Sequence, residues 1–204
     1  MRNLLFLVAF APFVVQAQIG IKAGANFSNV ISASQISPGN RAGFVVGLYL
    51  APPVKSIIGS RTELLFSRQG YNYASGTTSG NVNLNYLVIP QYMTINITKF
   101  VQIQLGGQMA FLLNAKADSS AANGSKVPYG NVMGYYNKFD YGFGGGLELH
   151  PIGGWIIGAR CSIGLAKIYS SMQTGQMPTF SASDAKNNVV QIYTGWTFGG
   201  NSKK

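Results

Sequence analysis

The fold is decided by residues 139–165, FDYGFGGGLELHPIGGWIIGARCSIGL. From Phe139 to Leu149, apolar side chains occupy mainly the odd positions, and glycine or charged side chains the even ones. After a break at 150–154 the same alternation resumes, from Trp155 to Leu165. A period of two places the two sets on opposite faces of a β-strand. The stretch therefore predicts two strands joined as a hairpin.

The two faces of this hairpin indicate which side is enclosed. The apolar face carries no charge, whereas the other face combines glycines with Asp140, Glu148 and Arg160. In a soluble sandwich the apolar face would be the inside. Here the small and ionic face is better placed inside, because glycines leave room in a narrow lumen and charges can pair there. This is the arrangement of a transmembrane hairpin in an outer-membrane barrel.

The same alternation recurs along the chain and predicts about eight strands. They cover residues 18–30, 41–50, 57–68, 82–96, 101–114, 139–149, 155–165 and 188–198. The connections alternate between long (31–40, 69–81, 117–136, 170–186) and short (51–56, 97–99, 151–154). Bacterial barrels join their strands by short periplasmic turns and long external loops. We therefore predict an all-β protein, an eight-stranded antiparallel up-and-down transmembrane β-barrel.

Two details of this prediction concern the fourth and fifth strands. In the fourth strand we expect Leu84, Tyr86 and Val88 to face outward, with Asn83 and Asn85 inward, and Pro90 to mark a bulge or a bend. In the fifth strand we expect Asn114 to face inward with Gln102, Gln104 and Gln108.

The start of the chain has the pattern of a secretory signal. Met1–Ala17 combines a positive start, a short apolar run and a small residue at the expected cleavage site. We take residues 18–204 as the barrel domain. No later window is apolar enough for a transmembrane helix, yet the chain is 47% hydrophobic and only 10% charged. The sole cysteine, Cys161, lies on the apolar face, so we expect a lipid-facing or packed thiol.

Several polar side chains fall on the enclosed face, toward the periplasmic half. Buried charges must pair, because leaving each one unpaired costs several kcal/mol of desolvation. An eight-stranded barrel is just wide enough for side chains to fill it. We therefore predict a structural plug of ion pairs and hydrogen bonds, rather than a proton relay or a pore. Its expected members are Lys22, Arg61, Glu63, Gln104, Glu148, Arg160 and Tyr193, with Gln102 and Gln108 beside them.

The formal net charge of +10 calls for an anionic setting. Nucleic acid is disfavoured, because the basic residues are scattered singly. Outer-membrane lipid is the better partner, since basic residues at the external rim would meet the phosphates of an anionic glycolipid. The alternative is that these residues merely solvate loops. The expected rim consists of Arg41, Arg68, Lys116, Lys126, Lys138, Lys167 and Lys186.

Catalytic, metal and cofactor sites are not predicted. His150 is the only histidine, and we expect it at a periplasmic turn without an acidic partner. A lipid-modifying hydrolase or acyltransferase would need a base, a nucleophile and an orienting group. The chain has no Cys-x-x-Cys, histidine cluster or phosphate-binding glycine loop of the known kinds.

Four segments carry a family resemblance: 18–28 (QIGIKAGANFS), 62–70 (TELLFSRQG), 84–90 (LNYLVIP) and 158–165 (GARCSIGL). In order and spacing they resemble the PorT-like outer-membrane β-barrel proteins, with Glu63, Tyr86, Pro90 and Arg160 at the most typical positions. The resemblance implies an outer-membrane barrel and, for PorT itself, work with a protein-secretion and gliding apparatus. It also implies that residues 193–198 form a terminal strand recognised by the barrel-assembly machinery. The tail at 199–204 departs from the usual aromatic end.

Four functions are open at this point. The first is a non-enzymatic outer-membrane barrel that acts through external loops or as an interaction component. The second is an accessory of a secretion apparatus, in contact with its proteins through periplasmic turns. The third is a soluble lipocalin-like carrier, which would need the apolar faces inside. The fourth, a lipid-modifying enzyme, is disfavoured by the single histidine.

Overall fold

A computed structural model describes residues 18–33, 36–52, 57–121, 126–170 and 184–199. The predicted signal segment Met1–Ala17 lies outside these residues. None of the helices within the described ranges is long and apolar enough to cross a membrane.

Ten strands make up the described fold, and they are numbered in chain order. Their bounds are β1 Gln18–Ile31, β2 Ser37–Gly39, β3 Arg41–Ala51, β4 Ile58–Ser75, β5 Thr78–Asn96, β6 Val101–Ala121, β7 Lys126–Asn131, β8 Phe139–Leu149, β9 Trp155–Gly164 and β10 Lys186–Thr197. Eight of them close into a ring in the order β1, β3, β4, β5, β6, β8, β9, β10. The ring closes by antiparallel pairing of β10 with β1, from Gly20↔Thr197 to Ile31↔Lys186. The predicted eight-stranded antiparallel barrel is confirmed.

The two faces of the ring differ as the alternation requires. Phe143 is 65% exposed on the outer face, and Cys161 is exposed beside it, whereas Glu63 and Arg160 in the lumen are 1% and 2% exposed. The apolar rows therefore lie outside and the ionic rows inside. This sidedness contradicts the soluble carrier, which needed the opposite. Thr62 and Gln91 are polar exceptions on the outer face, and their side chains hydrogen bond to each other at 2.5 Å.

The two ends of the barrel differ in their connections. The end that holds the β3–β4, β5–β6 and β8–β9 connections we call the short-turn end, and β1 begins and β10 ends there. The opposite end we call the long-loop end. β4, β5 and β6 are 18, 19 and 21 residues long, whereas β8 and β9 have only 11 and 10 residues. The additional residues of β4, β5 and β6 lie at the long-loop end. One side of the barrel therefore extends well beyond the other.

This extension corrects three of the predicted loops. Residues 69–81, expected to be a loop, continue β4 and β5 to a tight turn between Ser75 and Thr78. The expected loop 117–136 contains the end of β6, then β7 and a 3-10 turn at Met133–Tyr135. Within 31–40, β2 pairs with β4. The result is a sheet in the order β2, β4, β5, β6, β7 at the long-loop end.

The predicted orientation of the fourth strand is wrong. Leu84, Tyr86 and Val88 are at most 3% exposed and point into the lumen. Asn83 and Asn85, expected inward, lie on the outer face, where they are half-buried. The error arose because β5 is longer than the membrane is thick. Its asparagines lie beyond the apolar belt, where an outward polar residue costs nothing.

A bulge lies near, but not at, the predicted position. Between β5 and β6 the register shifts at Asn85/Tyr86, and Leu113 is the extra residue. Across Pro90 the β4–β5 register is unshifted, from Thr62↔Gln91 to Leu65↔Val88. The bulge exposes both Leu113 and Asn114, so the expected inward position of Asn114 is also wrong.

Candidate functional site

The lumen near the short-turn end holds a cluster of seven polar residues that we call the ionic cluster. Its members come from six strands: Lys22, Arg61, Glu63, Gln104, Glu148, Arg160 and Tyr193. Each is at most 2% exposed. Their strands surround the lumen, so each side chain is directed toward the centre by the alternation of its own strand.

Glu63 is the acceptor for two of the three cations. Arg160 donates to its two carboxylate oxygens from Nη1 at 2.8 Å and from Nη2 at 2.9 Å, and Lys22 Nζ donates at 3.0 Å. The bidentate pair fixes both the distance and the plane of the guanidinium. Glu63 therefore ties β4 to β9 and β1 across the lumen.

Glu148 is the second acceptor and takes the third cation. Arg61 donates to it from Nη1 at 2.5 Å and from Nη2 at 2.8 Å. Tyr193 Oη and Gln104 Nε2 donate at 3.0 and 3.1 Å. Gln104 also accepts from Arg160 Nη2 at 2.5 Å, which joins the two carboxylates into one network.

His150 corrects a prediction, because it has an acidic neighbour. Its Nε2 lies 3.1 Å from Glu148 Oε1, two residues earlier, and its side chain is 20% exposed. The imidazole therefore covers the ionic cluster from the short-turn end. The Glu148 carboxylate also accepts hydrogen bonds from Arg61, Gln104 and Tyr193.

Aromatic rings complete the packing around the cations. The Arg61 guanidinium lies 4.4 Å from the ring centre of Tyr49, and that of Arg160 lies 4.1 Å from Tyr92. Lys22 Nζ lies 3.7 Å from the ring centre of Tyr193. These rings need glycines on neighbouring strands, since a side chain at Gly20 would collide with Tyr49 and one at Gly158 with Tyr193. Cation–π contacts strengthen when water is excluded.

The charges of the ionic cluster are not fully balanced. It contains three cations and two carboxylates. Removing one partner of a buried pair leaves an uncompensated charge, at a cost of about 3–5 kcal/mol. Loss of either carboxylate would therefore leave at least one buried cation without its partner. Gln102 extends it by accepting from Gln104 at 3.0 Å, whereas Gln108 has no hydrogen bond to it within the described residues.

A second, neutral cluster lies in the lumen toward the long-loop end. The hydroxyls of Tyr71, Tyr136 and Tyr169, which we call the tyrosine cluster, meet there: Tyr71 and Tyr136 at 2.8 Å, Tyr136 and Tyr169 at 3.4 Å, and Tyr71 directly against Tyr169. Tyr136 and Tyr169 also form a backbone bridge between the segments that flank β8 and β9. Burial raises the pKa of Tyr169 to about 12, so its hydroxyl stays protonated. Apolar residues of β4, β5 and β6 pack in one core cluster with these tyrosines, namely Leu65, Val82, Leu84, Tyr86, Leu112 and Ala115.

The seven expected rim residues all lie near the long-loop end, in different surroundings. Arg68, Lys116 and Lys138 are exposed, Lys186 is half-buried at the start of β10, and Lys126 begins β7. Arg41 donates to the side-chain oxygens of Asn83 and Asn72 at 2.7 and 3.2 Å. Lys167 pairs with Asp184 at 2.6 Å, with both side chains about 60% exposed.

Sequence reasoning missed Tyr92, the His150 contact and the tyrosine cluster. Tyr92 shares its parity with Leu84 and Tyr86, so the inverted strand orientation hid it. The Glu-x-His spacing of Glu148 and His150 was a usable signal. Tyr136 and Tyr169 lie outside the barrel strands, so alternation gives no information on them.

The described residues offer no group of three or more histidine, cysteine or carboxylate side chains that could hold a metal ion. The charged groups that do converge, in the ionic cluster, pair with one another, and only Nε of Arg61 and Nε of Arg160 lack a hydrogen-bond partner among the seven described side chains. Chemically, this arrangement pairs charges from opposite walls of the lumen.

Comparisons with known proteins agree with this fold. The chain resembles the crystal structure of Ail, the attachment invasion locus protein of Yersinia pestis, with a TM-score of 0.53 and 16% identity over 90% of this chain and 100% of that one. It also resembles Neisserial surface protein A, with a TM-score of 0.53 and 11% identity over 88% of this chain and 97% of that one. At these identities the likeness concerns the fold alone. No curated protein sequence matches the chain.

The chain also matches a family of related sequences. The family described as "Outer membrane protein beta-barrel domain" matches residues 14–170, which is most of the chain. The match spans the ring from β1 to β9, including Glu63, Glu148 and Arg160. The chain therefore belongs to the outer membrane protein beta-barrel domain family and is a protein of the outer membrane.

Proposed function

We propose that this protein is a non-enzymatic, non-conducting outer-membrane barrel that acts through its external surface. The observation that carries the proposal is the ionic cluster. Its Glu63–Arg160 and Glu148–Arg61 pairs cross the lumen, and all of its side chains are at most 2% exposed. A water-filled channel would leave such charges hydrated and exposed.

A second closure supports the same conclusion. The tyrosine cluster and the apolar residues of β4–β6 fill the lumen on the long-loop side of the ionic cluster. A solute would have to displace both in sequence. Since the two closures use different chemistry, one change of conditions such as salt or pH would not remove both.

If the lumen is closed, the work falls to the surface outside the membrane. Short turns face the periplasm in bacterial barrels, which places the long-loop end outside the cell. The extended sheet of β2, β4, β5, β6 and β7 then forms an ordered external surface. We propose it as the part that contacts other molecules.

Planar-bilayer recording tests the closed lumen. The refolded full chain should add no large steady conductance, while a water-filled porin in the same bilayer serves as the positive control. Insertion is checked separately by heat-modifiable gel mobility. A large steady conductance from inserted protein would contradict the proposal.

A PorT-like accessory role in secretion stays a prediction and concerns the opposite, periplasmic end. Deletion of the gene followed by a comparison of secreted proteins tests it. An unchanged set of secreted proteins would remove this role and leave the closed barrel unaffected.

A further inference from the structure

The outer face of the barrel changes character at one aligned row of residues. Phe66 pairs with Leu87, Leu87 with Phe111, and Phe111 with Phe139, so the row crosses β4, β5, β6 and β8. The rings of Phe111 and Phe139 lie 5.3 Å apart, and Phe44 lies 5.8 Å from Phe66. Aromatic girdles mark the interfaces of transmembrane barrels. This row is therefore the upper edge of the apolar belt.

The next rows toward the long-loop end are cationic and amide-rich. Arg68 pairs with Asn85, two residues beyond Phe66, and Lys116 pairs with Asn83 in the row above. Arg68 and Lys116 are both exposed on the outer face. Two strand spacings of about 4.8 Å separate them across the sheet and two residues of about 3.3 Å each along it, so roughly 12 Å lies between their backbones.

A third cation lies between these two. Arg41 crosses from β3 over Gly70, and a side chain at Gly70 would meet its Cδ. Hydrogen bonds from Arg41 Nε to Asn83 and from Nη1 to Asn72 hold the guanidinium over β4 and β5. We call Arg41, Arg68 and Lys116 the basic patch. One of its three side chains is thus already held in place.

The acidic residue on the same face is engaged elsewhere. Asp118 lies one row further out, where its Oδ1 accepts from the Asn81 backbone N–H at 2.5 Å and its Oδ2 from Asn81 Nδ2 at 3.3 Å. In the rows of the basic patch, the described neighbours on β4–β6 are asparagine amides. Three cations directly above an aromatic girdle lie at the depth of lipid headgroups.

We propose that the basic patch binds the phosphate groups of an outer-leaflet glycolipid, whose acyl chains lie against the row of Phe66, Leu87 and Phe111. The apolar row favours a lipid over free phosphate, because it supplies a surface only acyl chains can use. Guanidinium and ammonium groups provide complementary charge for phosphate oxygens. The inference does not depend on whether the lumen conducts.

The test is binding of a phosphorylated glycolipid to the full chain in detergent micelles, counted by native mass spectrometry. Basic residues near a charged lipid surface contribute about 1 kcal/mol each, so the double variant R68Q/K116Q should bind about 30-fold more weakly. The variant K99Q/K167Q removes the same charge at the short-turn end and at an exposed loop pair, and should bind like the wild type. Heat-modifiable mobility confirms that both variants fold.

Three outcomes would overturn the proposal. One is wild-type affinity in R68Q/K116Q, and another is an equal loss in both double variants, which would mean non-specific charge attraction. The third concerns the source of the phosphate. A dephosphorylated glycolipid should bind weakly, and inorganic phosphate at equal concentration should not displace the intact one. If either expectation fails, the site is not one for lipid phosphate.

Discussion

The two halves of the lumen hold side chains of different chemistry. Toward the short-turn end, Glu63 and Glu148 hold three buried cations by charge-assisted hydrogen bonds. Toward the long-loop end, neutral hydroxyls meet above Leu84 and other apolar side chains. Charges demand defined partners, whereas packing tolerates substitutions of similar volume. Substitutions in the half with the ionic cluster should therefore lower the free energy of unfolding more than substitutions in the apolar half.

The largest expected effect is on the ionic cluster. Glu63→Ala leaves Arg160 and Lys22 buried without their carboxylate, and we expect the free energy of unfolding to fall by about 3–5 kcal/mol. Urea unfolding of the barrel in lipid measures it. The control Asp184→Ala removes an exposed partner of Lys167, and should change stability by less than about 1 kcal/mol. Equal losses in the two variants would contradict a charge-paired closure.

An intermediate effect is expected in the apolar half. Leu84→Ala removes a fully buried side chain from the lumen, and should cost about 3 kcal/mol. Leu87→Ala, on the outer face of the same strand, should cost less, because lipid chains are as apolar as the leucine they replace. The same unfolding measurement separates the two. A larger cost at Leu87 would mean that β5 faces the other way.

The smallest effect is expected in the tyrosine cluster. Tyr136→Phe removes one hydroxyl from a network of three, at a cost of about 1 kcal/mol. Because Tyr136 lies in a connecting segment, the loss should appear as faster hydrogen exchange around residues 132–138 rather than as global unfolding. Tyr141→Phe, which is half exposed on the outer face, is the matched control. Unchanged exchange in Tyr136→Phe would argue that packing alone closes this end.

The same comparison explains what the sequence could predict. Alternation works where one face carries charge or glycine and the other carries large apolar groups, as in β8 and β9. It placed Glu148 and Arg160 on the inward face because no other face could accept them. In β5 both faces contain apolar residues, and only the position of the membrane edge decides between Leu84 and Leu87. That edge is a property of the assembled ring.

Two other errors have the same origin. The continuation of β4 and β5 through residues 69–81 depends on pairing between strands, which polar side chains permit as well as apolar ones. The bulge at Leu113 resets the alternation, so every position beyond it, from Asn114 on, changes face. Long-range pairing fixes both features, and neither leaves a strong local signal.

Two lumenal glycines are sterically coupled to the tyrosine rings that they face. The Tyr49 ring fills the space that a side chain at Gly20 would need, and the Tyr193 ring fills the space that a side chain at Gly158 would need. A methyl group added at either glycine would collide with the facing tyrosine ring, unless a smaller residue replaces that tyrosine. In related barrels of the same diameter, the two positions of each pair should therefore vary together: where the glycine is replaced by a larger residue, the tyrosine should be replaced by a smaller one. Engineering the lumen into a pore therefore requires paired substitutions at contacting positions, rather than the shortening of one side chain at a time.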